Sequence, residues 1–169
     1  MLVEVSKLNI QGGNDMSTRS IIAIRQKDGR IKCIYCHWDG YPENNGVILW
    51  ANYQDRKKVE ELINLGSLSY LAPNVTPEPG VEHSYDKPAK DVCVAYCRDR
   101  GEDWETNRPR VLANDDEFLK YAQDSWAEYI YIYELSDRWQ TIFLNGDDDI
   151  LLENIPADLE IVLRLKNLI

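Results

Sequence analysis

The fold of this chain is decided by the stretch STRSIIAIRQKDGRIKCIYCHWDGYP, residues 17–42. Its apolar run from Ile21 to Ile24 is mostly β-branched, which is typical of a strand. The pair Asp28-Gly29 then supplies the positive φ angles that a tight hairpin turn needs. Apolar character resumes between Ile31 and Tyr35. We therefore predict a β-hairpin at the centre of the fold.

The return strand of this hairpin ends in a polar and aromatic loop. His37, Trp38, Asp39 and Tyr41 follow the strand, and Gly40 lies among them. Loops at the ends of strands are common places for binding residues. The alternative is that Trp38 and Tyr41 cap the core while Asp39 makes a turn with Gly40. Both interpretations stay open on the sequence alone.

A second polar cluster follows another predicted strand, at residues 90–96. The residues CRDRGED, 97–103, come directly after it. An arginine here could hold a phosphate or carboxylate through two hydrogen bonds, or the alternating charges could form a solvated ion-pair network. We predict that the strand ends at 37–42 and 97–103 converge into one binding site. The predicted site residues are His37, Trp38, Asp39, Tyr41, Arg98, Asp99 and Arg100.

The rest of the chain alternates helices with one further hairpin. Apolar spacing predicts two helices within 47–65 that are broken near Gln54-Asp55, a capped helix at 115–126, a hairpin at 128–143 and a last helix at 157–168. Residues 67–88 are rich in turns. The fold class that follows is α+β, with an antiparallel sheet built from hairpins and helices packed on one face.

The first 15 residues are expected to lie outside the native fold. Gln11 to Asp15 can be encoded by a purine-rich stretch of the kind that binds ribosomes ahead of a start codon, here Met16. The alternative is a real N-terminal strand. We expect residues 1–15 to be a translated leader and residues 16–169 to form one domain.

Composition limits the classes of partner. The 169 residues carry a net charge of −10, which argues against direct binding to nucleic-acid phosphates but permits binding to a basic protein surface. The sequence shows no apolar run of the ~20 residues that a membrane span needs, and no secretory signal. We therefore expect a cytoplasmic protein with reduced cysteines and no membrane partner.

The four cysteines give two patterns that resemble cofactor sites. Cys33-Ile34-Tyr35-Cys36-His37 matches the haem attachment pattern, but on a strand the two thiols face opposite ways. Cys33, Cys36, Cys93 and Cys97 could form a zinc site, yet both pairs lie in or beside strands instead of knuckle turns. We therefore predict buried free thiols, no metal and no cofactor.

An enzyme is the alternative to a binding protein. Removal of Met16 would leave Ser17 as an N-terminal residue just before a strand, the arrangement of hydrolases whose free amine activates a hydroxyl. The His37/Asp39 pair is the other candidate catalytic group. The hypothetical reaction is hydrolysis of a nucleotide or amide substrate. A structural virion or assembly component is a third hypothesis.

Five segments resemble a family of small uncharacterised phage and prophage proteins that begin Met-Ser-Thr-Arg-Ser. They are STRSIIAI, IYCHWDGYP with the Asn-Gly that follows it, LINLGSLS at 62–69, HSYD at 83–86 and VAYCRDRGE at 94–102. The similarity covers Met16 to about Phe143. It agrees with a start at Met16, and it transfers no catalytic residue.

The resemblance implies a context for the function. Small acidic accessory proteins of phages frequently interfere with the host cell. By this analogy, the chain is expected to be a phage-derived binding protein in the host cytoplasm. It would inhibit a host defence factor by binding a host protein or by sequestering a small nucleotide ligand.

Overall fold

The predicted hairpin lies in the middle of the sheet. The computed structural model describes residues 17–144 and the strand 150–154. Strand β1, Ser20–Arg25, pairs antiparallel with β2, Ile31–Cys36. Gly29 has φ +88° in the turn between them, a conformation that favours glycine. The turn chemistry read from the sequence therefore agrees with the structure.

Around this hairpin the sheet is mixed but mostly antiparallel. The remaining strands are β3 (Leu68–Tyr70), β4 (Val94–Ala95), β5 (Arg110–Leu112), β6 (Tyr129–Tyr133), β7 (Trp139–Leu144) and β8 (Ile150–Asn154). Their order is β4-β3-β2-β1-β6-β7-β8, and β5 pairs with β2. The β1–β6 and β2–β3 pairs are parallel. The α+β class is confirmed.

The helices are short and mostly capped as predicted. A π-helical turn at Pro42–Gly46 leads into α1, Val47–Asn52, which is followed by α2, Arg56–Ile63. Later helices are α3 (Tyr96–Arg100), α4 (Trp104–Asn107) and α5 (Asp115–Asp124). The Asp55 carboxylate accepts from the Lys58 amide at the start of α2. The side chain of Asn114 does the same for the Glu117 amide in α5.

Helices cover both faces of the sheet, whereas we expected them on one. Ile22 and Ile24 pack with residues of α1 and α2, while Ile21 and Ala23 pack against Phe118 of α5. The reason is the composition of β1: all four residues from Ile21 to Ile24 are buried, so both faces of this central strand need an apolar cover. A continuous apolar run predicts this arrangement better than one-sided packing does.

The strand predicted at 90–96 is shorter than expected. Only Val94–Ala95 pairs as a strand, and Tyr96 already begins α3. The Asp99 carboxylate accepts a hydrogen bond of 2.7 Å from the Ala95 amide, which satisfies a donor at the start of the helix. Residues 97–100 of the polar cluster are therefore helical, and their successive side chains point in different directions.

Some expectations fall outside this description. The leader at 1–15, the proposed start at Met16 and the helix at 157–168 all lie outside the described residues. Within the described ranges, no helix has the length and apolar character that a membrane span requires.

Candidate functional site

The loop after β2 is attached to the sheet through Gly40. The Gly40 amide donates to the Thr18 carbonyl at 2.8 Å, and the buried Tyr131 hydroxyl donates to the Gly40 carbonyl at 2.6 Å. A Cβ added at Gly40 would lie 2.7 Å from both the Ser20 Cβ and the Thr18 oxygen. Only glycine allows the loop to approach β1 this closely.

Two asparagines support the same loop from the following π-helical turn. Asn45 is fully buried, and its Nδ2 donates to the Ser20 hydroxyl at 3.1 Å. Asn44 donates to the Asp39 carbonyl at 3.1 Å and to the Asn45 side-chain oxygen at 3.0 Å. These bonds hold Asp39 at φ +54°. The loop after β2 is therefore held by several hydrogen bonds, and it also carries exposed side chains.

Three predicted site residues project from this loop towards solvent. Trp38 is 41% exposed, Tyr41 is 37% exposed, and Asp39 is exposed as well. Burial raises the pKa of the Tyr41 hydroxyl, and the Asp39 and Glu43 carboxylates raise it further. Tyr41 therefore remains a neutral hydrogen-bonding group at physiological pH.

His37 contacts Tyr35 of β2 and the adjacent Trp38. Its Nδ1 lies 2.7 Å from the Tyr35 hydroxyl, and its ring meets the Trp38 ring edge-on at 4.7 Å between centroids. Burial and the nearby Tyr96 raise the pKa of Tyr35, while the charge and hydrogen bond of Arg19 lower it. The net direction is upwards, so the Tyr35 hydroxyl keeps its proton at neutral pH.

Arg100 lies against two tyrosine rings. Its guanidinium carbon is 4.5 Å from the centroid of Tyr96 and 4.9 Å from that of Tyr85. The same group donates to the Ser69 hydroxyl at 3.1 Å and pairs with Glu102 at 3.4 Å. Burial raises the pKa of Tyr96, and Arg100 opposes that shift. Stacking and hydrogen bonding together fix the position of this arginine.

Ser69 of β3 links the two strand ends. Its carbonyl accepts from the Trp38 amide at 2.9 Å, and its hydroxyl accepts from Arg100. The structure therefore brings His37, Trp38 and Arg100 to one end of the sheet. We call this surface the aromatic-arginine patch; its members are Arg19, Tyr35, His37, Trp38, Tyr85, Tyr96 and Arg100.

Arg98 and Asp99 do not belong to the patch. The Asp99 side chain is 3% exposed, and it accepts from the Ala95 amide and from Arg98 Nε at 2.9 Å. Arg98 also donates to the carbonyls of Val75 at 2.7 Å and Cys93 at 2.9 Å. These two side chains hold α3 and β4 to the preceding turn-rich segment. This arrangement supports a structural role, and our expectation that Arg98 and Asp99 bind a ligand stays a prediction.

His83 completes this buried network. Its Nδ1 accepts from the Ala89 amide at 2.9 Å, so its ring proton lies on Nε2. That nitrogen is 3.0 Å from the Cys93 carbonyl and 3.3 Å from the Asp99 carboxylate. The network fastens the segment that carries Tyr85 and thereby positions one wall of the patch.

Three of the four cysteines are buried, in two separate places, and Cys97 is partly exposed in α3. Cys33 packs on the α5 face, whereas Cys36 and Cys93 pack on the α1–α2 face. Burial raises the pKa of both Cys33 and Cys36 to about 12, so both are thiols at neutral pH. Considering only the described residues, no group of three or more His, Cys, Asp or Glu side chains could hold a metal ion. Ser17 is buried just before β1.

Several patch residues were missed by sequence reasoning. Tyr35 lies two positions before His37, so strand alternation alone could have placed both side chains on one face. Tyr85 and Tyr96, and the Ser69 that links the two strand ends, become neighbours only through the pairing of β2, β3 and β4. No local pattern marks them.

Comparisons with protein-family models, curated proteins and solved structures all find no match. The functional argument therefore depends on the geometry of the described residues.

Proposed function

We propose that the protein is a phage- or prophage-derived binding protein that inhibits a host factor, and that it binds a host protein through the aromatic-arginine patch. The observation that carries the proposal is Arg100 held against Tyr85 and Tyr96 next to the exposed Trp38. Tryptophan, tyrosine and arginine are the residue types that dominate binding energy at protein interfaces.

The patch is well suited to binding because its members are already ordered. Tyr85 is 54% exposed, yet its ring rests on Arg100, and Trp38 rests on His37. Rigid aromatic side chains lose little conformational entropy when a partner covers them. The net charge of −10 favours a partner with a basic surface around the contact.

The hydrolase hypothesis has less support from the geometry. Two cavities lie beside α2, and Ser17, His37 and Asp39 line neither of them. Asp39 is exposed, and the protonated Tyr35 hydroxyl lies against the His37 imidazole. These features favour a contact surface over a reaction site.

Site-specific crosslinking tests the proposal. A photo-crosslinking amino acid replaces Tyr85 in one version of the chain and the exposed Trp126 in a control version. We expect a host protein to crosslink through position 85 and not through position 126. The captured protein is then purified, and its Kd is measured against the wild type, Arg100→Ala and the control Arg138→Ala.

A hot-spot arginine contributes about 2 kcal/mol or more, so Arg100→Ala should raise Kd by roughly 30-fold. Arg138 is exposed in the turn before β7, and its replacement should change Kd less than about twofold. Circular dichroism checks that each variant is folded. Equal crosslinking at positions 85 and 126, or an unchanged Kd for folded Arg100→Ala, would exclude the patch as the interface.

A further inference from the structure

Two adjacent cavities lie beside α2, away from the aromatic-arginine patch. The inner one has a volume of about 340 Å³ and lies between α2 and the β1–β2 turn. The outer one, of about 260 Å³, reaches α4 and β5. Lys32 and Asn64 line both. We call the pair the α2 groove, and its volume is in the range of small-ligand sites.

The inner cavity is basic although the protein is acidic. Four cations and one carboxylate line it: Arg25, Lys27, Lys32, Arg56 and Glu60. Arg25 is balanced by Glu134 and Asp115, and Arg56 by Asp137.

The two lysines differ from the arginines. Within residues 17–144, Lys32 donates at 2.7 Å to the neutral Asn64 side chain, and neither lysine has an ion-pair partner. Their positive charge is available to an anion.

Gln26 adds a second requirement for the ligand. It lines the inner cavity, and its side-chain oxygen is shielded from solvent yet accepts no hydrogen bond from the described part of the chain. A buried acceptor without a donor is destabilising. Rotation of the Gln26 side chain into the cavity would let a ligand satisfy this oxygen with a hydroxyl or amino donor next to its anionic group.

The outer cavity combines apolar side chains with basic and polar ones. Trp104 is 46% exposed there, and Pro109 and Val111 line the same space. Arg108 lies at its rim and pairs only with the exposed Glu105 among the described residues. Exposed indole rings bind planar bases by stacking, whichever base is offered.

From this arrangement we infer that the α2 groove binds a free nucleotide. The phosphate lies at Lys27 and Lys32, a ribose or base donor reaches Gln26, and the base stacks on Trp104. A free mononucleotide fits better than a polynucleotide because the net charge of −10 repels an extended phosphate backbone. The inference does not depend on the proposed protein partner, because the groove and the patch share no residue.

Isothermal titration calorimetry of the full chain with adenosine and uridine monophosphates tests this inference. We expect binding of at least one nucleotide, and binding of adenosine alone or inorganic phosphate alone should be at least roughly tenfold weaker, since each fills one part of the groove. Lys32→Gln and Trp104→Ala should each weaken nucleotide binding by roughly tenfold. Lys57→Gln on α2 and Trp126→Ala, both outside the groove, are the matched controls and should change it less than about twofold.

Three results would overturn the inference. They are no binding of either nucleotide at concentrations on the order of 1 mM, phosphate binding as tight as nucleotide binding, and equal losses in the control variants. If a groove variant is unfolded by circular dichroism, the wild-type chain is photolabelled with an azido-adenosine monophosphate. Label in the peptide that contains Trp104 supports the site, and label only elsewhere refutes it. Arg100→Ala should leave nucleotide binding unchanged, which separates this test from that of the patch.

Discussion

Replacing Asp99 by alanine tests whether this predicted site residue is structural. Its carboxylate accepts from the Ala95 amide at 2.7 Å and from Arg98, and it lies 3.3 Å from His83 Nε2. The variant leaves the partly buried Ala95 amide without its acceptor, while His83 Nε2 keeps the Cys93 carbonyl. The unsatisfied amide costs about 1–3 kcal/mol, and Arg98 contributes less because it is partly exposed. We expect Asp99→Ala to lower the free energy of unfolding by about 2 kcal/mol.

The stability loss of Asp99→Ala should depend on pH, because the Asp99 carboxylate can be protonated. Burial is the largest single influence and raises the pKa of Asp99, but Arg98, the Ala95 amide and His83 together lower it below its usual 3.8. A carboxylate whose pKa is lower in the folded than in the unfolded chain stabilises the fold. Its contribution is complete at pH values above the unfolded-state pKa, and it is lost as the pH falls through the folded-state pKa. The stability difference between wild type and Asp99→Ala should therefore be constant near neutrality and shrink below about pH 4.

Urea unfolding followed by circular dichroism, carried out at neutral pH and at pH values below about 4, measures the stability loss of Asp99→Ala and its pH dependence. The exposed Asp86 lies in the turn-rich segment to which Asp99 and Arg98 fasten α3, so Asp86→Ala is the matched control and should change stability by less than about 0.5 kcal/mol. If Asp99→Ala is as stable as the control and also weakens binding of the partner, Asp99 is a ligand residue and the reasoning is refuted.

Two further predictions concern the loop after β2, and urea unfolding measures both. Gly40→Ala should cost about 2–3 kcal/mol because its Cβ would meet β1 at 2.7 Å. Gly80→Ala, with open space at φ +81°, should cost only about 1 kcal/mol of backbone strain, and a Gly40→Ala loss no larger than this would contradict the predicted clash. Tyr131→Phe should cost about 1–2 kcal/mol because the Gly40 carbonyl loses its buried donor. Tyr129→Phe on the same strand is its control, and a similar loss there would contradict the assigned hydrogen bond.

The hairpin could be predicted because its signals are local. Asp28-Gly29 determines the turn, and the β-branched residues on either side form β1 and β2. The break between α1 and α2 is also local, since Asp55 caps the second helix. These features depend on neighbours in sequence, where turn chemistry and capping act.

The composition of the site could not be predicted in the same way. Arg98, Asp99 and Arg100 are consecutive, so a strand end would place them in one cluster. In the helix α3 successive side chains turn by about 100°, and the helix sends Asp99 inwards and Arg100 towards the tyrosines. At the start of this helix the Asp99 carboxylate accepts a hydrogen bond from the Ala95 amide, whereas we had predicted from the sequence that Asp99 binds a ligand.

The charge pattern of the chain links the two proposed sites. The net charge of −10 already keeps the protein soluble. Basic side chains without an ion-pair partner among the described residues, or stacked on aromatic rings, therefore point to a role in binding. Such cations occur at both ends of β2: Lys32 near its start, and Arg100 beside His37 after its end. Strand alternation places the side chains of Lys32 and His37 on opposite faces of the sheet. A ligand in the α2 groove and a partner on the patch can therefore bind at the same time. Loss of one activity in Lys32→Gln and of the other in Arg100→Ala would establish two independent sites on one small domain.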